Sequence, residues 1–432
     1  MDALLAAVDS IHPYPYGTHG RAEWVATAEE LKRRLPSLRY HEAVLGFARL
    51  IALADDGHTR LGHVRLAEHE RVALDLLPGE GFESLYPVQF EVFADGLHVV
   101  QAASHVGELA GRRVLAINGI PAAQVFERLS PYVAAGNDLW LLYVGATYLS
   151  SPGIVAGVGL TDAPTEALSL TLDAGGGRST SVRVDPVPAG SEMEWVEAAA
   201  PIDEPDAPLY RRLQGNYGFR YLPESRTVYV RFRQVRDSES EPLDRFAERL
   251  FRFVDSAAVE RLVFDVRRNG GGNNYLNQPL VHGLIRATAV NRPGALFVIT
   301  DRGTFSAAIS FVSDVERNTH ALFVGEPTGG RVNHYGDSRR ITLPVSGLEV
   351  RVSTLYWQQS DPRDRRAWVV PDIPVMLTID DYVAGRDPVL AAALDYELPA
   401  DYRALTPNRN WRRRSQVEGY TVRIDWGASA SR

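Results

Sequence analysis

Phe297-Val-Ile-Thr-Asp-Arg-Gly-Thr-Phe-Ser306-Ala-Ala-Ile-Ser-Phe-Val-Ser-Asp-Val-Glu316 joins two periodicities. An apolar, β-branched run over 295–300 breaks at Asp301-Arg302-Gly303, and apolar residues then recur at Ala307, Ala308, Phe311, Val312 and Val315 with helical spacing. Ser306 is therefore expected where a buried strand turns into a helix. There its hydroxyl would lie beside unpaired backbone N–H groups and the positive end of the helix dipole, where a nucleophile and an oxyanion site can be built together. Taken alone, the pattern also fits a serine that merely caps a helix, which is the commoner case.

A second stretch adds specificity. Leu262-Val-Phe-Asp265-Val-Arg-Arg-Asn269-Gly-Gly-Gly272-Asn-Asn is another short buried strand that runs into three glycines, whose backbone can adopt positive φ and approach a ligand closely. It contains neither G-x-x-x-x-G-K-[ST] nor G-x-G-x-x-G, which argues against a phosphate loop. Around these two stretches, strand-like segments at 226–232, 262–266, 295–300 and 321–324 alternate with helical ones at 242–254, 279–287 and after Ser306. That alternation predicts an α/β core with a largely parallel sheet, and sites then form at the carboxyl ends of the strands. Both the glycine loop and Ser306 fall at such ends.

Four motifs occur in order: Asp265-Val-Arg-Arg-Asn-Gly-Gly-Gly, Thr-Asp-Arg-Gly-Thr-Phe-Ser306-Ala-Ala, Val324-Gly-Glu-Pro-Thr-Gly-Gly-Arg331 and Val370-Pro-Asp-Ile-Pro-Val375. Together they resemble the C-terminal processing (tail-specific) peptidases and the tricorn core protease, closely over the second half of the chain and loosely over the first. The resemblance implies a crotonase-like catalytic core and a serine-type peptidase without a cofactor. It assigns Ser306 as nucleophile and the N–H groups of Ala307 and Gly271 as the oxyanion hole.

The same resemblance divides over the base. The tail-specific branch uses a lysine shortly after the Gly-x-x-Thr motif, where this chain has Gly329-Gly330-Arg331, and an arginine does not deprotonate. The chain's one lysine, Lys32, lies on an amphipathic helical stretch near the N-terminus. The tricorn-like branch uses an upstream histidine, and Leu53-Ala-Asp55-Asp56-Gly57-His58-Thr59 resembles that segment. An apolar helical run (Val44, Phe47, Ala48, Ile51) precedes it, and Gly57 is expected to end the helix and leave His58 on a loop. Without the resemblance, His58 would be an ordinary loop histidine. A serine precedes the histidine in tricorn; Gly57 stands there here, so that hydroxyl is missing or comes from elsewhere.

An imidazole base needs an acceptor on its far nitrogen. The tricorn pattern draws an acid from the segment before the Pro-Asp motif, here Gln358-Gln-Ser360-Asp361-Pro-Arg-Asp364-Arg-Arg-Ala-Trp368. Asp364 is the first choice and Asp361 the second, with Glu326 and Asp56 behind them. Either of the first two could instead be a surface charge balanced by Arg363, Arg365 and Arg366.

The rest of the chain bounds the class. Its 432 residues, 45% hydrophobic and 23% charged, suffice for two or three domains, and a net charge of -8 argues against a nucleic-acid partner. The basic cluster over 409–414 reads as a solvated tail. Absent cysteines exclude disulfides and thiolate sites, and no paired-ligand histidine spacing predicts a metal. No run reaches about 18 apolar residues, so no integral membrane segment is expected. No signal peptide is visible; the protein is cytoplasmic if the chain is complete, periplasmic or extracellular if a leader was removed.

Residues 1–75 read as a helical region carrying the candidate base, with Trp24, Ala28, Leu31 and Leu35 on one face and Pro36 as its stop. His12, in Ile11-His12-Pro-Tyr-Pro-Tyr16, reads as structural. Over 83–187 the period changes to two, with turns at Asp95-Gly96 and Asn118-Gly119. That order is similar to the second half of a PDZ domain, which binds chain ends by strand addition. Residues 188–208 form a linker, 208–400 the crotonase-like core and 401–432 a tail. Peptide or protein is the expected substrate, and the chain is compatible with a homo-oligomer. Two alternatives remain: a catalytically silent ligand- or peptide-binding homologue, since the fold also resembles repeats of a retinoid-carrying protein, or an acyl transferase or cyclase using the same serine.

Overall fold

The computed structural model describes residues 1–62, 64–66, 72–74, 79, 81–202, 204, 207–402 and 421–427. The basic cluster over 409–414 lies outside them. The chain divides into two compact units: Met1–Ala199 with Tyr335–Trp357 and Arg423–Arg432, and Ala200–His334 with Gln358–Val422.

In the first unit, three helices come first: α1 (Asp2–Ile11), α2 (Arg21–Arg34) and α3 (Tyr40–Ala52). Trp24, Ala28 and Leu31 are buried on α2, as their spacing predicts. Pro36 sits in a short 3-10 turn, Leu35–Ser37, immediately after it. On α3, Val44, Leu45, Phe47, Ala48 and Ile51 are buried. The chain leaves α3 through Asp55, which takes the positive φ of 51° expected at Gly57; aspartate tolerates that conformation because its short polar side chain bonds locally. Strand β1 (Arg60–Leu61) then pairs antiparallel with Glu349–Val352, one arm of the hairpin formed with Arg339–Thr342. This pairing brings the end of α3 and the 349–353 segment together.

The remainder of the unit is an antiparallel sheet of β2 (Val88–Phe93), β3 (Gly96–Ala103), β4 (Arg113–Ile117), β5 (Leu168–Asp173), β6 (Ser179–Val184) and β7 (Trp195–Glu197). Its order is β6-β5-β4-β3-β7, with β2 also on β3. Alternation is clearest in β5, where Leu168, Leu170 and Leu172 point inward. Helix α4 (Ala122–Leu129) follows β4, and α5 (Asp138–Tyr148) is capped by Asn137, whose Oδ1 accepts the Trp140 N–H at 2.9 Å.

The second unit is α/β. Its strands β8 (Tyr217–Leu222), β9 (Thr227–Phe232), β10 (Arg261–Asp265), β11 (Leu296–Thr300), β12 (Leu322–Gly325) and β13 (Ile373–Pro374) lie in chain order across one sheet. Only β8 is antiparallel to its neighbour; from β9 onward every pairing is parallel. The crossovers are α6 (Leu243–Ser256), α7 (Gln278–Arg286) and α8 (Ala307–Asn318), followed by α9 (Pro388–Leu394). Val230, Phe264, Val298 and Phe323 face a core closed by Phe246, Phe311 and Val315, whereas Tyr229, Val263, Phe297 and Val324 face Val389, Leu390 and Ala393 of α9. Covered on both faces, β9, β11 and β12 are buried along their whole length and β10 is buried after Arg261, which is why these strands read as largely apolar runs.

Candidate active site

Ser306 occupies the turn between β11 and α8, with φ 56° and ψ -128°. A serine held at positive φ is strained, and such strain persists only where surrounding structure over-determines it. Here the over-determination is visible. The Thr304 hydroxyl donates to the Val266 carbonyl at 3.0 Å, the Phe305 N–H to the Asn269 carbonyl at 2.9 Å, and the Arg268 N–H to Asp301 Oδ1 at 2.8 Å. These three bonds fasten the serine turn to the glycine loop after β10.

The loop comes very close. A Cβ on Gly271, at φ +96°, would stand 2.6 Å from Ser306 Cβ and 2.7 Å from the Ala307 nitrogen. Only glycine allows that approach. The Ala307 N–H, first in α8, has no hydrogen-bond partner among the described residues. The Gly271 N–H, expected to be the second oxyanion donor, donates to Asn269 Oδ1 at 2.9 Å. Asn269 is fully buried, and its Nδ2 donates to the Phe232 carbonyl at 2.9 Å, tying the loop to the end of β9. Those of the adjacent Gly270 and Gly272 have no partner among the described residues.

Beneath the loop, Asp265 accepts from Tyr229 Oη at 2.6 Å and from Arg267 Nε at 3.0 Å, and Arg267 reaches Asp387 at 2.7 Å. Burial pushes the Asp265 carboxyl up, and the charges of Arg267 and Arg231 outweigh it, leaving it below its usual range.

In the first unit, His58 is half-buried on the loop after α3, and Asp56 lies beneath it with 5% of its surface exposed. Asp56 Oδ1 accepts the His58 backbone N–H at 2.9 Å and stands 3.6 Å from His58 Nδ1. Asp56 Oδ2 accepts the Ser353 hydroxyl at 2.5 Å and lies 3.5 Å from His12 Nε2. The Ser353 N–H donates in turn to Thr59 Oγ1 at 3.0 Å. Burial pushes the Asp56 carboxyl up, but the facing imidazoles of His12 and His58 and the Ser353 hydroxyl hold it well below the carboxylate range.

Asp364, the first choice as orienter, belongs to the second unit and is engaged otherwise. Its carboxylate takes Arg366 Nε at 3.0 Å and Nη2 at 2.8 Å, and Arg366 also grips the buried Glu316 at 2.9 and 2.7 Å. Asp361 is bound by Arg363 at 2.9 Å at the surface, and Glu326 by Arg302 at 2.6 Å. The carboxylate beside His58 is Asp56. The sequence placed it behind Asp364 although it lies two residues from the histidine. Of its other partners, the sequence marks His12 as structural and does not single out Ser353.

Among the described residues, no group of three or more histidine, aspartate or glutamate side chains could hold a metal ion, and no helix is long and apolar enough to cross a membrane.

No family model and no curated protein sequence matches the chain. Solved structures do. Mature CPAF complexed with lactacystin matches with a TM-score of 0.61 at 14% identity, over 91% of this chain and 95% of that one. The photosystem II D1 C-terminal processing protease matches at 0.39 and 16% identity, over 86% of this chain and 91% of that one. The tricorn protease matches at 0.38 and 14% identity, over 86% of this chain and 33% of that one. The α/β chain described here has, nearly end to end, the fold of mature CPAF.

Proposed function

We propose that the chain is a serine peptidase in which Ser306 is the nucleophile, His58 the general base and Asp56 the carboxylate that orients it. Asp56 takes the role first given to Asp364 or Asp361 because it faces His58, whereas Asp364 is bound by Arg366 and Asp361 by Arg363. The observation that carries the proposal is the serine turn: a strained Ser306, an Ala307 N–H with no partner among the described residues and a glycine loop drawn against both.

The chemistry follows. His58 removes the proton from Ser306 Oγ as that oxygen bonds to the scissile carbonyl carbon, and the carbonyl electron pair moves onto oxygen. The Ala307 N–H and a glycine-loop N–H hold the resulting oxyanion, each worth roughly 3 kcal/mol. Gly271 serves as that second donor when its N–H turns from Asn269 to the substrate; the N–H of its neighbour Gly272 has no partner among the described residues. His58 then gives the proton to the leaving amine, leaving an acyl-serine that water hydrolyses by the same steps in reverse.

The same proposal reads residues 208–400 as a crotonase-like core and 83–187 as a PDZ-like domain, with 1–75 as the region that supplies the base. Parallel pairing from β9 to β13 supports the first, and the antiparallel sheet of β2 to β7 with α4 supports the second. The test is a fluorophosphonate probe. Native protein is labelled and Ser306→Ala is not; labelling that survives in Ser306→Ala removes the proposal.

A further inference from the structure

The sequence reads His12 as a structural histidine at the head of a stretch fixed by Pro13 and Pro15. It is 4% exposed, and its ring packs against Tyr335 with centroids 4.6 Å apart. Its hydrogen bonding decides its tautomer. The Tyr14 backbone N–H donates to His12 Nδ1 at 3.1 Å, so Nδ1 is the acceptor and the neutral ring carries its proton on Nε2. That buried Nε2 has no hydrogen-bond partner among the described residues, and the acceptor that it faces, at 3.5 Å, is Asp56 Oδ2. A buried N–H aimed at a carboxylate without a formed bond costs free energy unless a small movement closes the gap.

Asp56 thus lies between two imidazoles. His58 Nδ1 approaches one oxygen, His12 Nε2 the other, and the Ser353 hydroxyl shares the second. We propose that His12 and Ser353 are positioning residues for the base: from opposite chain regions they hold Asp56 ionised and aimed, and Asp56 in turn fixes the tautomer of His58. Ser353 is then the source of the hydroxyl that Gly57 does not supply. The inference rests on His58 being the base of the reading above.

Removing the His12 donor has a definite sign. Among the described residues, the titratable groups facing Asp56 are His12 and His58. Without His12 the carboxylate is less satisfied and attracts the His58 proton more strongly. Protonated His58 therefore persists to higher pH.

The variants are His12→Phe, which keeps a ring against Tyr335 but has no donor, and His12→Gln, whose amide N–H replaces that of Nε2. His12→Phe is expected to lower kcat on the order of tenfold with little change in KM, and to move the acid limb of kcat/KM to higher pH. His12→Gln recovers most of the lost kcat. Ser353→Ala lowers kcat in the same direction. The ionisation of His58 is read separately, by 15N titration of histidine-labelled full-length Ser306→Ala protein, with the signal assigned by its loss in His58→Gln. An upward shift in His12→Phe supports the network even if the probe never labels Ser306, in which case only the peptidase reading fails. Unchanged His58 titration and an unchanged pH profile in His12→Phe, with only thermal stability lowered, overturn the inference.

Discussion

Two buried carboxylates, Asp56 and Asp364, are held in opposite ways. Asp364 is gripped by the guanidinium of Arg366, which also binds Glu316, so its charge is matched by a cation that does not deprotonate. Asp56 faces two imidazoles and a hydroxyl. A carboxylate closed by arginine is a brace for the fold. One closed by imidazoles remains able to strengthen its hold on a neighbour when that neighbour takes up a proton, which is what a base needs from its partner. The kind of donor, more than the depth of burial, separates the two.

The largest test of this contrast is Asp56→Asn. It keeps the shape, removes the charge, and is expected to lower kcat by about 10³- to 10⁴-fold while the protein stays folded. Asp364→Asn, measured beside it, should leave kcat of the folded protein within a few-fold. If the two results were exchanged, the contrast would break.

Next comes Arg366→Met, which removes the guanidinium that the buried Asp364 and Glu316 share. Urea unfolding is expected to show a loss of about 3–5 kcal/mol. A change under about 1 kcal/mol would mean that water reaches the cluster and that it braces little.

Acid titration gives a smaller effect with a fixed sign. For Asp364, burial pushes the carboxyl up, but hydrogen bonds and charge from Arg366 bring it below its ordinary value. A depressed folded-state value means that the contribution is present above the unfolded carboxylate value, about 3.9, and is lost as pH falls through the folded value. The urea midpoint should therefore drop less steeply on acidification in Asp364→Asn than in the native chain. Asp56→Asn should flatten the same limb, because Asp56 is depressed too.

The smallest effect is expected for Asp361→Asn. Its partner Arg363 is largely exposed, and removing a surface pair is worth about 0.5 kcal/mol or less, with activity unchanged.

Legibility in the sequence followed the distance over which each feature is encoded. The serine turn was readable because strand, break and helix are contiguous, and the glycine loop because three glycines after an apolar strand leave few alternatives. The parallel sheet followed from alternating periods, since strands covered on both faces are continuously apolar. The partners of His58 were not readable. Asp56 reaches Ser353 across 297 positions, through the pairing of Arg60 with Arg351, and no local pattern announces a two-residue strand. Motif order ranks Asp364 first, and the sequence offers Arg363, Arg365 and Arg366 alike as balancing charges without saying that Arg366 is the one that turns back onto it. Gly57 was expected to take the left-handed turn because glycine does so most readily, yet Asp55 takes it and leaves Asp56 buried beneath the histidine.

Activation of Ser306 by an imidazole is the central claim. Its most direct test is the pH dependence of fluorophosphonate labelling in the native chain and in His58→Gln. The expected result is a labelling rate that falls on acidification in the native protein, and a slow rate without that acid limb in His58→Gln. An acid limb of the same position and depth in His58→Gln would contradict the account.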